Sequence, residues 1–167
     1  MLSKVLNRPV TPDDLPAITE LHARVFGPGR FTRTAYRVRE GAPPISRYCR
    51  AALLGQRIIA AVRFTDIAVG VTEGALLLGP LAVDPEFAGK GFGRALVGEA
   101  LEAAKGDGVR LVVLVGDEPY YGRFGFRPVP PEQITLPGPV DPSRLLAAEL
   151  APGALSAYRG LVTARRA

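Results

Sequence analysis

Gly79-Pro80-Leu81-Ala82-Val83-Asp84-Pro85-Glu86-Phe87-Ala88-Gly89-Lys90-Gly91-Phe92-Gly93-Arg94-Ala95 decides how this chain is read. The apolar run Ala75 to Val83 reads as a strand, Asp84-Pro85 turns the backbone, and a glycine-rich loop leads into an amphipathic helix beginning near Gly91. The start of a helix leaves N–H groups unpaired and carries partial positive charge, and residues without Cβ let an anion reach them. Gly89, Gly91 and Gly93 supply bare backbone, and Lys90 and Arg94 add charge. The layout is that of a phosphate trap.

Two other phosphate motifs also place glycines between a strand and a helix, and neither fits. The P-loop needs Gly-Lys followed by Ser or Thr, whereas Lys90 is followed by Gly91, so no hydroxyl is there to hold magnesium. The dinucleotide fingerprint Gly-x-Gly-x-x-Gly puts Arg94 or Leu96 at its third glycine, depending on where counting starts.

Ala88-Gly89-Lys90-Gly91-Phe92-Gly93, following Leu81-Ala82-Val83, resembles the Gln/Arg-x-x-Gly-x-Gly/Ala signature of the GNAT N-acetyltransferases. Ala88 departs from it, standing where the family has Gln or Arg. Downstream, the strand-like run Val109 to Val115 leads to Tyr121-Gly122-Arg123-Phe124-Gly125-Phe126, which resembles the family's Tyr-x-x-x-Gly-Phe element. The resemblance implies an α/β fold. Its sheet has about 6–7 mostly antiparallel strands, a splayed parallel pair (75–83 and 109–115) and flanking helices.

The rest of the chain is compatible with that layout. At 167 residues with 47% apolar side chains it makes one domain, 1–167, with a sizeable core. The net charge of +5 suits a polyanionic ligand and, equally, weak adhesion to nucleic acid. A lone cysteine, Cys49, makes neither an internal disulfide nor a cysteine-cluster metal site, so no metal is expected. Met1 to Leu6 has no signal-peptide core, and no apolar run approaches the ~20 residues of a membrane span. A cytoplasmic protein, monomer or homodimer, is the expectation.

Val5 to Val10 reads as a first strand. Thr11-Pro12-Asp13-Asp14 then announces a helix, with Thr11 as N-cap and Leu15, Ile18, Leu21 and Val25 as buried stripe, ended by Gly27-Pro28-Gly29. His22, the sole histidine, lies beside that stripe and is read as structural. Thr32 to Arg39 is a second helix in an arginine-rich passage. Those arginines read as a solvated face, with recognition of an acidic acceptor or of cofactor phosphates as the functional alternative. Tyr48 to Leu54, Ile58 to Val69 and Ala75 to Val83 form an antiparallel meander, with a turn at Val71 to Gly74. Arg144 to Leu150 reads as a strand hairpinned to the one after Gly125, and Arg165-Arg166 as a frayed basic tail.

The resemblance also implies a site. Where the two parallel strands splay, the backbone of Leu81, Ala82 and Val83 loses its sheet partner and must be satisfied otherwise. In the family the pantetheine arm of acetyl-CoA lies there, with its pyrophosphate on the amides of Gly89, Lys90, Gly91, Phe92, Gly93 and Arg94. A backbone N–H near Ala82 or Val83 would stabilise the oxyanion formed when an amine attacks directly. No covalent intermediate is needed, and Cys49 is a small buried apolar residue. Tyr121 holds the position of the general acid; Tyr120, one residue earlier, points about 100° away on a helix. Glu73, at the start of the third meander strand, is the candidate general base, Asp84 is a turn residue, and Asp117 is placed against cofactor or acceptor. The implied function is transfer of acetyl from acetyl-CoA to a primary amine of a small molecule or protein. Two alternatives are a non-catalytic CoA-binding module and a basic nucleic-acid-binding domain. The latter lacks aromatic-basic interleaving and a helix-turn-helix pattern.

Overall fold

The computed structural model describes residues 4–165, with the side chains of residues 31 and 32 left aside. The readings of Met1–Ser3 and of Arg166 lie outside the described residues. Thr11 and Asp14 shape the entry to the first helix: the Asp14 carboxylate accepts from the Thr11 N–H (2.8 Å) and hydroxyl (3.2 Å) and from both Arg8 Nη atoms. A single 3-10 turn, Pro12–Asp14, precedes α1, Leu15–Phe26, which Gly27 ends at φ 70°. The second helix, α2, is shorter than expected, Thr34–Arg39, because residues 28–32 form a 3-10 turn instead.

β1 (Val5–Pro9), β2 (Arg50–Leu54), β3 (Arg57–Val69) and β4 (Thr72–Val83) build the antiparallel half of the sheet, as expected. The β3–β4 turn is Gly70-Val71 rather than Val71 to Gly74. A Cβ at Gly70 would run into the Arg159 carbonyl, so only glycine turns there, and Thr72 to Gly74 join the strand. α3, Phe92–Gly106, carries Leu96, Val97, Ala100 and Ala104 into the core and returns the chain to β5, Leu111–Val115. β5 starts two residues later than the apolar run suggests.

The remaining elements are α4 (Glu118–Tyr121), β6 (Arg127–Pro128), β7 (Ile134–Thr135), β8 (Leu145–Glu149) and β9 (Gly160–Ala164). The main path of the sheet is β1-β2-β3-β4-β5-β8-β6, mixed and mostly antiparallel with one parallel pair, β4–β5. β8 lies between β5 and β6, which is the hairpin expected for 144–150. β9 was not legible: it covers the β3 edge that β2 leaves free, pairing Ile67 to Val69, and itself pairs with β7. Arg165 is not frayed. Its N–H donates to the Asp66 carbonyl at 2.8 Å and its guanidinium pairs with Glu73 at 3.0 Å.

Both sheet faces are covered. Leu76, Leu78, Val112 and Leu114 pack under α3, while Ala51, Ala61 and Ala82 pack under α1. The feature that positions the site is a break between β4 and β5. They pair only from Ala75↔Leu111 to Leu77↔Val113, after which β4 stays with β3 and β5 with β8. At that point Val62 faces Leu81 and Phe64 faces Leu78, so Gly79 and Pro80 bulge opposite Arg63 alone. The bulge turns the end of β4 away from β5, Pro80 contributes no N–H, and a cleft opens between the strands.

Candidate active site

The cleft is floored by the end of β4. From Leu78 to Val83 this strand has no partner on its β5 side, and Leu81 and Val83 point toward α3 while Ala82 is buried under α1. The glycine loop follows directly. Gly89 and Gly91 take φ 76° and 85°, the left-handed region that glycine enters without strain. The first helical bond of α3 runs from the Ala95 N–H to the Gly91 carbonyl (3.0 Å). Among the described residues no backbone carbonyl meets the N–H groups of residues 89–94, so six consecutive donors are left open around a helix start. A Cβ on Gly93 would lie 3.1 Å from Val83 Cγ2 and 3.2 Å from Tyr120 Oη, so glycine lets the helix sit against the strand end. Lys90 Nζ lies 5.8 Å from the Phe87 ring centre, and Arg94 is exposed at the loop mouth. These donors, bare backbone and cations fit a pyrophosphate.

The opposite wall comes from β5 and α4. Tyr121 stands on Gly116, where a Cβ would come within 2.6 Å of its ring, and packs edge-on against Phe126. Burial pushes its phenol up to about 12, with Tyr120 and Asp117 adding to the shift. Its hydroxyl has no hydrogen-bond partner among the described residues and faces the cleft. Tyr120 leans over the phosphate loop with Arg123 stacked on its ring at 5.5 Å. Asp117 borders the cleft but is 74% exposed and bonded to Arg144 at 3.2 Å.

The cleft continues through the sheet into a cavity of about 1050 Å³, and the loop pocket, about 330 Å³, joins it at Val83 and Tyr120. The far side of this cavity is cationic. Arg39, the last residue of α2, lies against the bulge, its Nη2 only 2.7 Å from where a Gly79 Cβ would stand. Arg63 extends beside it from β3, and His22 enters from α1. Burial, then Arg63 and Arg33, bring Arg39 down to about 9; burial, then Arg39, Arg30 and Arg63, bring His22 down to about 4, so its imidazole is neutral at pH 7. The sequence reading placed these arginines on a solvated face and His22 in a structural role. The structure instead lines the cavity with both, Arg39 from the end of α2 and His22 from α1.

Glu73 is not part of this site. It sits at the beginning of β4, the end opposite the cleft, 60% exposed and paired with Arg165, so it is too far from the cleft to serve as general base. Asp84 is the turn residue expected: its carboxylate accepts from Glu86 N–H and from Arg24 and Arg57, which tie the loop to α1 and β3. Cys49 is buried, its sulfur accepting from the Ser46 and Phe64 N–H groups, as a structural residue would be.

A phosphate-binding loop beside a splayed strand pair is the arrangement of one protein class, and the chain belongs to it: residues 15–126 match the acetyltransferase (GNAT) family. Over 85 residues the chain is 36% identical to the uncharacterized N-acetyltransferase YhbS of Escherichia coli K12, a match covering 51% of each protein. The chain thus spans about half the length of the curated relatives it matches. In three dimensions the likeness is wider. The crystal structure of YhbS from Escherichia coli in complex with CoA has a TM-score of 0.82 at 28% identity, covering 99% of this chain and 92% of that one. A GNAT family acetyltransferase from Brucella melitensis, in complex with acetyl-CoA, has a TM-score of 0.64 at 25% identity over 92% and 99% of the two chains. No helix among the described residues is long and apolar enough to cross a membrane.

Proposed function

We propose that this protein is an N-acetyltransferase that moves acetyl from acetyl-CoA to a primary amine in one direct displacement. The observation that carries the reading is the run of six free N–H groups at residues 89–94 beside the unpaired edge of β4. The loop amides, with Lys90 and Arg94, hold the pyrophosphate, and the free backbone of Leu81 to Val83 holds the pantetheine arm as a neighbouring strand would. An N–H near Ala82 or Val83 faces the thioester carbonyl and stabilises the charge that builds on its oxygen.

Tyr121 supports the departing sulfur. Its phenol stays protonated at working pH, has no hydrogen-bond partner among the described residues and lines the cleft, so its O–H is free to donate to the thiolate. With Glu73 elsewhere, the acceptor nitrogen is made neutral by its surroundings. Guanidiniums across the cavity disfavour an ammonium beside them, which lowers the amine pKa and lets water carry the proton away.

The test is a calorimetric titration with acetyl-CoA followed by turnover on a panel of primary amines. Binding with formation of an acetylated amine is the expected result. Binding without turnover on any amine would make the protein a CoA-binding module, and absence of binding would end the reading.

A further inference from the structure

The cationic side of the cavity holds charge that the protein itself does not balance. The Nε atoms of Arg39 and Arg63 are buried and have no hydrogen-bond partner. Arg63 makes one bond, Nη2 to the Pro43 carbonyl at 3.2 Å, and no carboxylate among the described residues lies within ion-pair distance of either guanidinium. The two acidic residues that border the cavity, Asp117 and Asp141, stand at its other end, one bonded to Arg144 and the other to Ser143. Buried charges are normally paired, because leaving water without a counter-charge is among the least favourable things a side chain does. Elsewhere among the described residues the buried carboxylates follow the rule: Asp14 has Arg8, and Asp84 has Arg24 and Arg57. Arg39 and Arg63 break it together, side by side, in the wall of a ligand-sized space.

We propose that the missing counter-charge arrives with the acceptor, an amine that also carries a carboxylate or a phosphate, and that Arg39 and Arg63 receive that anionic group. This rests on the transferase reading above. Planar guanidiniums present paired donors that match either oxyanion, and the neutral His22 ring beside them offers a further donor. The geometry also sets the spacing. Arg39 touches the bulge at Gly79, and Ala82 and Val83 lie three and four residues along the strand, about 10–13 Å at the rise of a β-strand. A short acceptor, hydrogen-bonded to the guanidinium at one end and in contact with the thioester at the other, spans that distance. Polyamines and lysine-rich segments are the wrong charge for this wall.

The experiment compares small amino acids and an aminoalkyl phosphate, namely β-alanine, γ-aminobutyrate and 2-aminoethyl phosphate, with β-alaninamide, γ-aminobutyramide and ethanolamine, at saturating acetyl-CoA. The anionic members should be preferred about 10- to 100-fold in kcat/KM, the range of a charged hydrogen bond. The carboxylate and phosphate arms separate the two sources. R39Q should abolish most of that preference through KM while leaving acetyl-CoA affinity unchanged, and R39K should restore part of it. A second readout needs no turnover. With CoA bound, so that the phosphate loop is occupied, glutarate or inorganic phosphate should raise the melting temperature of wild type and not of R39Q. R39M should melt no lower than wild type, since it removes an unbalanced charge. Equal use of charged and neutral amines, or equal anion responses in wild type and R39Q, would overturn the inference and leave the transferase reading standing. Anion binding that depends on Arg39, with no transfer to any amine, would overturn both the transferase reading and the acceptor assignment, leaving an anion site at Arg39.

Discussion

Replacing Tyr121 by Phe keeps the ring on Gly116 and against Phe126 and removes only a hydroxyl that bonds to none of the described residues. Folding should hardly notice. The catalytic effect follows from the phenol's acidity. Burial pushes it up to about 12, whereas a coenzyme thiol, by analogy with cysteine, lies near ~8.5, so complete proton transfer to the thiolate is uphill by roughly 3.5 units, or about 5 kcal/mol. Tyr121 therefore acts chiefly by donating a hydrogen bond to developing negative charge. A bond of that kind contributes about 1.5–3 kcal/mol, or about 10- to 150-fold in rate, less than the upper end of full acid catalysis. Stopped thiol-release assays on Tyr121→Phe should show kcat reduced on that scale, with acetyl-CoA affinity and melting temperature nearly unchanged. The kcat–pH profile of wild type should carry no ionisation of Tyr121 below about pH 11. A variant that turns over at the wild-type rate would refute the reasoning and make solvent the donor. If Tyr120→Phe lost more than Tyr121→Phe, the role would belong to the ring leaning over the phosphate loop.

Gly91→Val forces a branched residue into φ 85° and puts its methyls among the loop amides; calorimetry should show acetyl-CoA binding at least about tenfold weaker with the fold retained by circular dichroism, and equal affinity would remove the pyrophosphate from this loop. Ala88→Arg restores the side chain the family carries at an exposed position of the loop mouth, so affinity should rise or stay level, and a loss without unfolding would count against this alignment of the loop. The Arg8 bond, with the Thr11 N–H, brings Asp14 down from 3.8 to about 2, so its contribution, about 2 kcal/mol, is fully present above pH ~4 and disappears as pH falls through 2. Melting temperatures of wild type and Asp14→Asn should accordingly differ at pH 7 and converge by pH 2; a gap independent of pH would contradict the ion pair.

The phosphate loop was legible because its requirements are local: glycines at positive φ, a turn after a strand, an amphipathic helix behind. The Thr11–Asp14 cap and the Gly125-Phe126 element were legible for the same reason. What the sequence hid was long-range. Glu73 looked close to the chemistry by its place before a site strand, but a strand 12 residues long separates its two ends widely, and the cleft opens at the other. Arg39 looked like one more solvated arginine, because nothing in Thr34 to Arg39 tells that its last residue abuts a bulge in a strand 40 residues away. β9 pairs with β3 across more than half of the chain and carries no turn signal that ties the two together. A cheaper hint was available at Gly79-Pro80, since Pro inside an otherwise apolar strand marks an edge or a bulge, and here it marks where the sheet opens.

The most direct test of the central claim is a single-turnover experiment with acetyl-CoA labelled in the acetyl carbonyl, enzyme in excess, and γ-aminobutyrate or a turned-over amine from the panel as acceptor, followed by mass spectrometry of both protein and small molecules. Direct transfer predicts that label leaves the coenzyme and enters the amine in one phase, with none on the protein at any time. Label appearing first on Cys49 or another side chain, or remaining on the coenzyme while the amine is untouched, would contradict it.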